Sequence, residues 1–208
     1  MHPASADTAK APLYGLVLAG GKSRRMQRDK AALELDGNPA LHRAYRLLQA
    51  HCDACFVSIR ADQADDPVRR DLPHVVDDGI TQGPLAGIVS ALNSHPECAW
   101  LVVACDLPLL DNATLSRLIA HRADGAIVTA FASAHDGLPE PLCAIYEPAS
   151  LPVLLDYAGQ DVRCPRKILL REDSRVTLLP DAGHALDNVN TPEDLAQVSA
   201  RLHNGGAH

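Results

Sequence analysis

The sequence predicts an α/β fold in three layers, a mostly parallel sheet with helices on both faces. Short apolar runs alternate with helical patterns along most of the chain, the arrangement that parallel βαβ units require. The strongest apolar runs, 14–19 and 100–104, end in glycines or an aspartate rather than in tight hairpin turns. At 208 residues the chain suffices for one domain with a sizeable core. Apolar residues make up 47% and aromatics only 3%, so Ala, Leu, Val and Ile must fill that core. The expected organisation is a disordered tail over 1–12, a single domain over 13–203 and a second tail over 204–208.

In order, residues 14–19 read as a buried strand and 31–35 as a weak alternation closed by Asp36-Gly37. A helix over 40–50 carries Leu41, Ala44, Leu47 and Leu48 at helical spacing. Strands follow at 55–59 and 74–76, separated by a polar, moderately helical stretch, 63–72. Gly83-Pro84-Leu85-Ala86-Gly87 leads a helix through Leu92, and 100–104 is a buried strand ending in Cys105-Asp106-Leu107-Pro108. Asp111 caps a helix over 113–121. Strands are expected at 125–131, 141–146 and 176–179, and helices at 151–158 and 165–171. Thr191 and Pro192 open a last helix, 193–202. The segment 132–165 is the least regular; an inserted strand pair and an acceptor-substrate surface are placed there.

Net charge −7 argues against nonspecific nucleic-acid binding. No apolar run reaches membrane-spanning length, and the N-terminus has no signal-peptide core. A cytoplasmic protein with reduced thiols is expected, so the six cysteines read as small buried residues rather than a zinc or redox site, Cys52-x-x-Cys55 included.

The chemistry centres on 16–30. Gly20-Gly21 end the first strand, and five cations follow between residues 22 and 30: Lys22, Arg24, Arg25, Arg28 and Lys30. Glycines let backbone amides approach a phosphate and the cations neutralise it. The Walker spacing fails, because Leu16 stands where its first glycine belongs, and G-x-G-x-x-G is absent. Asp106, directly after a strand at the carboxyl edge of the sheet, suits Mg²⁺, which takes one or two carboxylates and fills its octahedron with water and phosphate oxygens. Arg25 and Lys30 suit charge developing on phosphate oxygens. Asp77 or Asp78 could accept from the donor edge of a base or hold a ribose, and Gly83 and Gly87 would let backbone approach a flat ligand. Asn188 and Asn190 can orient a phosphate or the polar edge of a ring. Arg163, Arg166 and Lys167 could reach a second phosphate.

Leu18-Ala19-Gly20-Gly21 with Ser23, Arg25-Met26 and Asp29-Lys30 resembles the signature of Rossmann-like nucleotidyltransferases of the nucleotide-diphospho-sugar transferase type, and specifically the molybdenum cofactor guanylyltransferases, the MobA family. Gly83-Pro84-Leu85-Ala86-Gly87, Cys105-Asp106-x-Pro108 and Asn188-x-Asn190-Thr-Pro-Glu-Asp194 continue it in order, so the resemblance covers 14–202. It implies Mg²⁺-dependent transfer of GMP from GTP to molybdopterin, with release of pyrophosphate. Leu18, Ala19, Gly20, Gly21, Lys30, Asp77, Asp78, Gly83, Pro84, Leu85, Gly87 and Asp106 would bind the nucleotide, and Asp106 the metal. Other cofactor-biosynthesis proteins and target molybdoenzymes would be partners. CTP, a different phosphorylated acceptor, and a non-catalytic nucleotide-binding module are the alternatives. Gln27, where the family has glycine, and the unusual segment 139–146 are the departures.

Overall fold

The computed structural model describes residues 10–20, 29–35, 37–179, 184–189 and 194. Strand β1 (Leu13–Leu18) leads to a 3-10 turn (Lys30–Ala32) and a two-residue hairpin, β2 (Glu34–Leu35) with β3 (Asn38–Pro39). Then come α1 (Ala40–Gln49), β4 (Ala54–Ile59), β5 (His74–Val76), α2 (Pro84–Ser94), β6 (Ala99–Ala104) and α3 (Asn112–Ala120). The chain continues through β7 (Val128–Ala132), β8 (Pro139–Tyr146), α4 (Ser150–Gly159), α5 (Pro165–Arg171) and β9 (Arg175–Leu178). Of the expected last helix, 193–202, only Asp194 is among the described residues, and it is helical.

The main sheet has seven strands in the order β5-β4-β1-β6-β8-β7-β9. β8 pairs antiparallel with both β6 and β7, and every other pair is parallel. The sheet is therefore mostly parallel, as expected. Successive residues of β1 serve opposite cores: Val17 packs with Leu41 and Leu48 of α1 and Leu115 and Leu118 of α3, whereas Leu16 packs with Leu85, Ile88 and Leu92 of α2. Strands covered on both faces read as continuous apolar runs, and β6 is buried at all six positions. With so few aromatics, Tyr14, Phe56, His95 and Trp100 are gathered into one cluster, centroids 5.2 to 5.9 Å apart.

Two expectations need correction. The stretch 63–72 is not a helix. Only Ala61–Gln63 forms a 3-10 turn. Beyond it the chain runs in a series of turns pinned by Asp66, whose carboxylate accepts from Val68 N at 2.9 Å. Residues 10–12, assigned to the N-terminal tail, are held in place: Lys10 Nζ donates to Arg122 O (2.7 Å), and Arg122 Nη2 to Ala11 O (3.1 Å). Arg122 is fixed in turn by Glu147 through two 2.8 Å contacts.

Helix α2 enters through Gly83, whose φ of 65° is a conformation glycine adopts without steric cost, followed by Pro84 at the first helical position. Gly87 then allows α2 to lie against the sheet. A Cβ there would meet Ser58 Oγ at 2.2 Å and Leu18 Cδ2 at 2.8 Å. Gly87→Ala is expected to cost about 1–3 kcal/mol through overpacking against β4 and β1, measured as a lowered midpoint of urea unfolding. An unchanged midpoint would show that this contact relaxes freely.

Candidate active site

Register brings the chemistry together. Leu18 of β1 lies opposite Ala104 of β6, so the residues that leave these strands emerge side by side at the carboxyl edge. Cys105 N continues the ladder to Leu18 O (3.4 Å), and Ala19 N donates to Ser58 O (3.3 Å). The Asp29 carboxylate accepts from Ala31 N at 3.0 Å, starting the 3-10 turn that carries Lys30. Lys30 Nζ then reaches Asp106 Oδ2 at 2.7 Å, with side chains 21% and 19% exposed. Residues 76 apart in sequence thus form one cation–carboxylate pair at the end of the two central strands.

A cleft of about 370 Å³ opens beside this pair, lined by Leu18, Ala19, Gly20, Lys30, Asp77, Asp106 and others. Ser58 and Arg60 also line it. Gly83 and Pro84 bring the N-terminal end of α2, the positive end of the helix dipole, to its wall. A second cavity of about 630 Å³ adjoins, sharing Gly83, Pro84 and Leu142 with the first. Leu107, Arg163, Arg166 and Asn188 are among its walls.

The two aspartates after β5 have separate fates. Asp77 faces the smaller cleft, accepts from Ser58 Oγ (2.9 Å), and has its pKa raised by burial, with Ser58 and Arg60 opposing the rise. Asp78 folds back on its own loop: Oδ1 accepts from Ile80 N (3.0 Å), and its backbone N–H donates to Ser90 Oγ of α2 (2.9 Å). Leu85 is fully buried against Leu16, and Gly87 packs on Ser58 and Leu18, so both build the wall without lining the cleft. Lys167 is exposed on α5 and lines neither cavity. Arg166 is held by Glu140 (2.7 Å) and Asp136 (3.2 Å), and Arg163 by Asp161 (2.8 Å). Gly21, Arg25 and Asn190 lie outside the described residues, as does Gln27. The neighbouring Val189 N donates to the backbone carbonyl of Asp106 (3.1 Å), which ties the Asn188 segment to the chain that carries the central carboxylate.

Sequence reasoning missed Arg69, whose side chain is fully buried. Its Nη2 donates to Ala19 O (2.8 Å) and to Asp29 Oδ1 (2.9 Å), and Nη1 lies 2.6 Å from Asp29 Oδ2 and 3.0 Å from Asp66 Oδ1. Burial opposes its charge, but the carboxylates of Asp29 and Asp66 outweigh burial and raise its pKa above the ordinary arginine value. The available signal was Asp66-Pro67, since a residue before proline disfavours helix and marks a turn. Arg60, likewise unremarked, donates from Nη1 to Gly20 O. Among the cysteines, Cys55, Cys98, Cys105 and Cys143 are buried, and burial with the nearby Asp106 charge pushes the Cys105 thiol up to about 12. No group of three or more His, Cys, Asp and Glu among the described residues could hold a metal alone.

The raised Asp77 pKa has a sign that can be tested. Above the ordinary aspartate value the folded protein must ionise a carboxyl that burial keeps protonated longer than in the unfolded chain. Wild type should therefore lose stability relative to Asp77→Asn as pH rises from about 3.8 through the higher folded-state value. Paired urea melts across that window check it; a constant difference would mean that Asp77 titrates as it does in water.

A MobA-like NTP transferase domain matches residues 15–176. The chain is 39% identical over 194 residues to a molybdenum cofactor biosynthesis bifunctional protein from Synechocystis sp., covering 93% of this chain but 56% of that one. The chain thus spans little more than half of that relative. It is 35% identical to a molybdenum cofactor guanylyltransferase from Pseudomonas paraeruginosa, over 92% of this chain and 96% of that protein. The crystal structure of molybdopterin-guanine dinucleotide biosynthesis protein A from Archaeoglobus fulgidus superposes with a TM-score of 0.76 at 23% identity, over 92% of this chain and 99% of that one, a likeness of fold. A family match across the strands that carry Gly20, Asp77 and Asp106, with relatives above 30% identity along nearly the whole chain, leads to one conclusion: the chain belongs to the MobA-like NTP transferase family.

Proposed function

We propose that this chain transfers GMP from GTP to molybdopterin, forming the guanine dinucleotide of the molybdenum cofactor and releasing pyrophosphate. The observation that carries the reading is the pair of adjoining cavities. They share Gly83, Pro84 and Leu142, with Asp106 on the wall of one and Leu107 on the wall of the other. A donor nucleotide in the smaller cleft and an acceptor in the larger one would meet beside Asp106. The printed names of relatives, molybdenum cofactor guanylyltransferase among them, support the choice of substrates.

In this reading an acceptor phosphate oxygen attacks the α-phosphorus of GTP in line. The new P–O bond forms as the bond to the β-phosphate breaks, and the electron pair leaves on pyrophosphate. No side-chain nucleophile is needed, so positioning and charge stabilisation supply the rate. The Lys30 ammonium holds the transferred phosphate, with Arg25 on the leaving phosphates. The backbone at Ala19 and Gly20 lies beside them, and Asp77 takes the donor edge of guanine or the ribose. Asn188 and Arg166 orient the acceptor. Asp29, Asp77 and Asp106 line the cleft but form no three-ligand cage among the described residues, which fits Mg²⁺ shared with phosphates, and Asp106 would hold that ion. When bound, Mg²⁺ supplies further neutralisation of phosphate charge. None of the described helices is long and apolar enough to cross a membrane.

Two measurements test this. Calorimetric titration with GTP, CTP and ATP, each with Mg²⁺, should give binding of GTP alone; a preference for CTP would move the protein to cytidylyl transfer. Asp106→Asn should fold normally yet lose on the order of 10²–10³-fold in acceptor-dependent pyrophosphate release. A folded, fully active variant would remove Asp106 from the reaction.

A further inference from the structure

We propose that Arg69 is a positioning residue for transfer: it sets the distance between the two ends of the phosphate segment and so the place of Lys30. The guanidinium takes hold of the chain on both sides of residues 20–28. On one side it binds the Ala19 carbonyl, the last residue before Gly20. On the other it binds both oxygens of Asp29, the residue before Lys30. Asp29 relays that constraint, because the oxygen that receives Arg69 Nη2 also accepts from Ala31 N and so fixes the turn bearing Lys30. Lys30 in turn meets Asp106.

Arg69 is itself well anchored. Asp66 braces its Nη1, the Asp66 carbonyl accepts from Arg69 N (2.9 Å), and the adjacent Val68 carbonyl lies 2.8 Å from His42 Nε2 on α1. A planar fork with several donors can serve a carbonyl and two carboxylates at once; a lysine ammonium cannot reproduce that geometry. Nη2 makes both hydrogen bonds, Nη1 sits at ion-pair distance from Asp29 and Asp66 without meeting hydrogen-bond geometry, and Nε has no hydrogen-bond partner among the described residues. A fully buried cation is costly without its counter-charges, so Asp29 and Asp66 are held against it. Arg69 lines neither cavity, and it acts on the reaction only through Ala19, Asp29 and Lys30.

The proposal rests on the nucleotidyl-transfer reading, and the experiment separates the two. The full chain is compared with Arg69→Lys and Arg69→Ala for thermal unfolding, for pyrophosphate release with GTP, Mg²⁺ and molybdopterin, and for trypsin cleavage at Lys22, Arg24, Arg25 and Arg28. Arg69→Lys is expected to stay folded and to lose about 10- to 100-fold in kcat with a much smaller change in KM, as a misplaced catalytic group does. Trypsin should cut within 22–28 faster than in wild type. Millimolar guanidinium should restore kcat to Arg69→Ala but not to Lys30→Ala, which a merely structural role would not produce. Should Arg69→Ala fail to fold, the lysine variant carries the test. A folded lysine variant with wild-type kcat and wild-type cleavage overturns the proposal. Wild type that releases no pyrophosphate, while the Arg69 variants are still cut faster, overturns the transfer reading and leaves the clamp standing.

Discussion

Two charges 2.7 Å apart, Lys30 and Asp106, set the terms for the rest of the site. Each side chain is only about one-fifth exposed, so neither can be left alone without a desolvation cost. In the free protein each answers the other. In the proposed reaction a nucleotide arriving with a divalent cation would offer both a new partner: phosphate oxygens for the ammonium, metal for the carboxylate. One neutral pair would become two, and the site would change occupant without exposing an uncompensated charge. That exchange depends on the register of β1 with β6, in which Leu18 stands opposite Ala104. A slip of one residue would turn the side chains beyond it to the other face of the sheet.

The carboxyl edge collects its other groups by the same rule. β4 ends beside β1 and delivers Ser58 and Arg60; β5 ends beside β4 and delivers Asp77. Short connections after parallel strands all open on one side, which is where ligands bind in such sheets. Gly87 contributes to this indirectly. By letting α2 settle against Ser58 and Leu18, it brings the start of that helix, Gly83 and Pro84, to the junction of the two cavities.

How much of this was legible depended on how local the signal was. The strands at β1, β4 and β6, the Gly83 entry to α2 and the Asp111 cap of α3 are each set by residues within a few positions of one another. Thr114 N donates to Asp111 Oδ1 at 2.8 Å, as a capping aspartate should receive it. Lys30 and Asp106 were readable as separate motifs; only the sheet register joins them. Asp77 and Asp78 could not be told apart, because the choice turns on Ser58 and Ser90, which come from different elements. Arg69 was the hardest. In a polar stretch a lone arginine looks solvated, and its burial arises from Ala19 and Asp29, forty or more residues away. The direction of β8 was equally hidden, since a strand buried on both faces has the same composition whichever way it runs.

That reversed strand is what makes the second cavity. A parallel β8 would have brought its last residues, Ile145 and Tyr146, to the active edge. Running antiparallel, it pairs Cys143 with Val103 and sends its beginning there instead, so that Glu140, Pro141 and Leu142 line the larger cavity. The turn before β8 then overhangs the same edge. From it Asp136 reaches Arg166 on α5, and His135 Nε2 lies 3.2 Å from Asp187, next to Asn188. Three separate segments, 133–140, 163–166 and 186–188, are thereby joined by side-chain contacts around a cavity whose walls include Leu107, Pro141, Leu142 and Leu186. The smaller cleft is built where the parallel strands β1, β4, β5 and β6 end together; the larger cavity takes its wall from β8, the strand that begins there, so it is shaped without changing the pairing of β1 with β6.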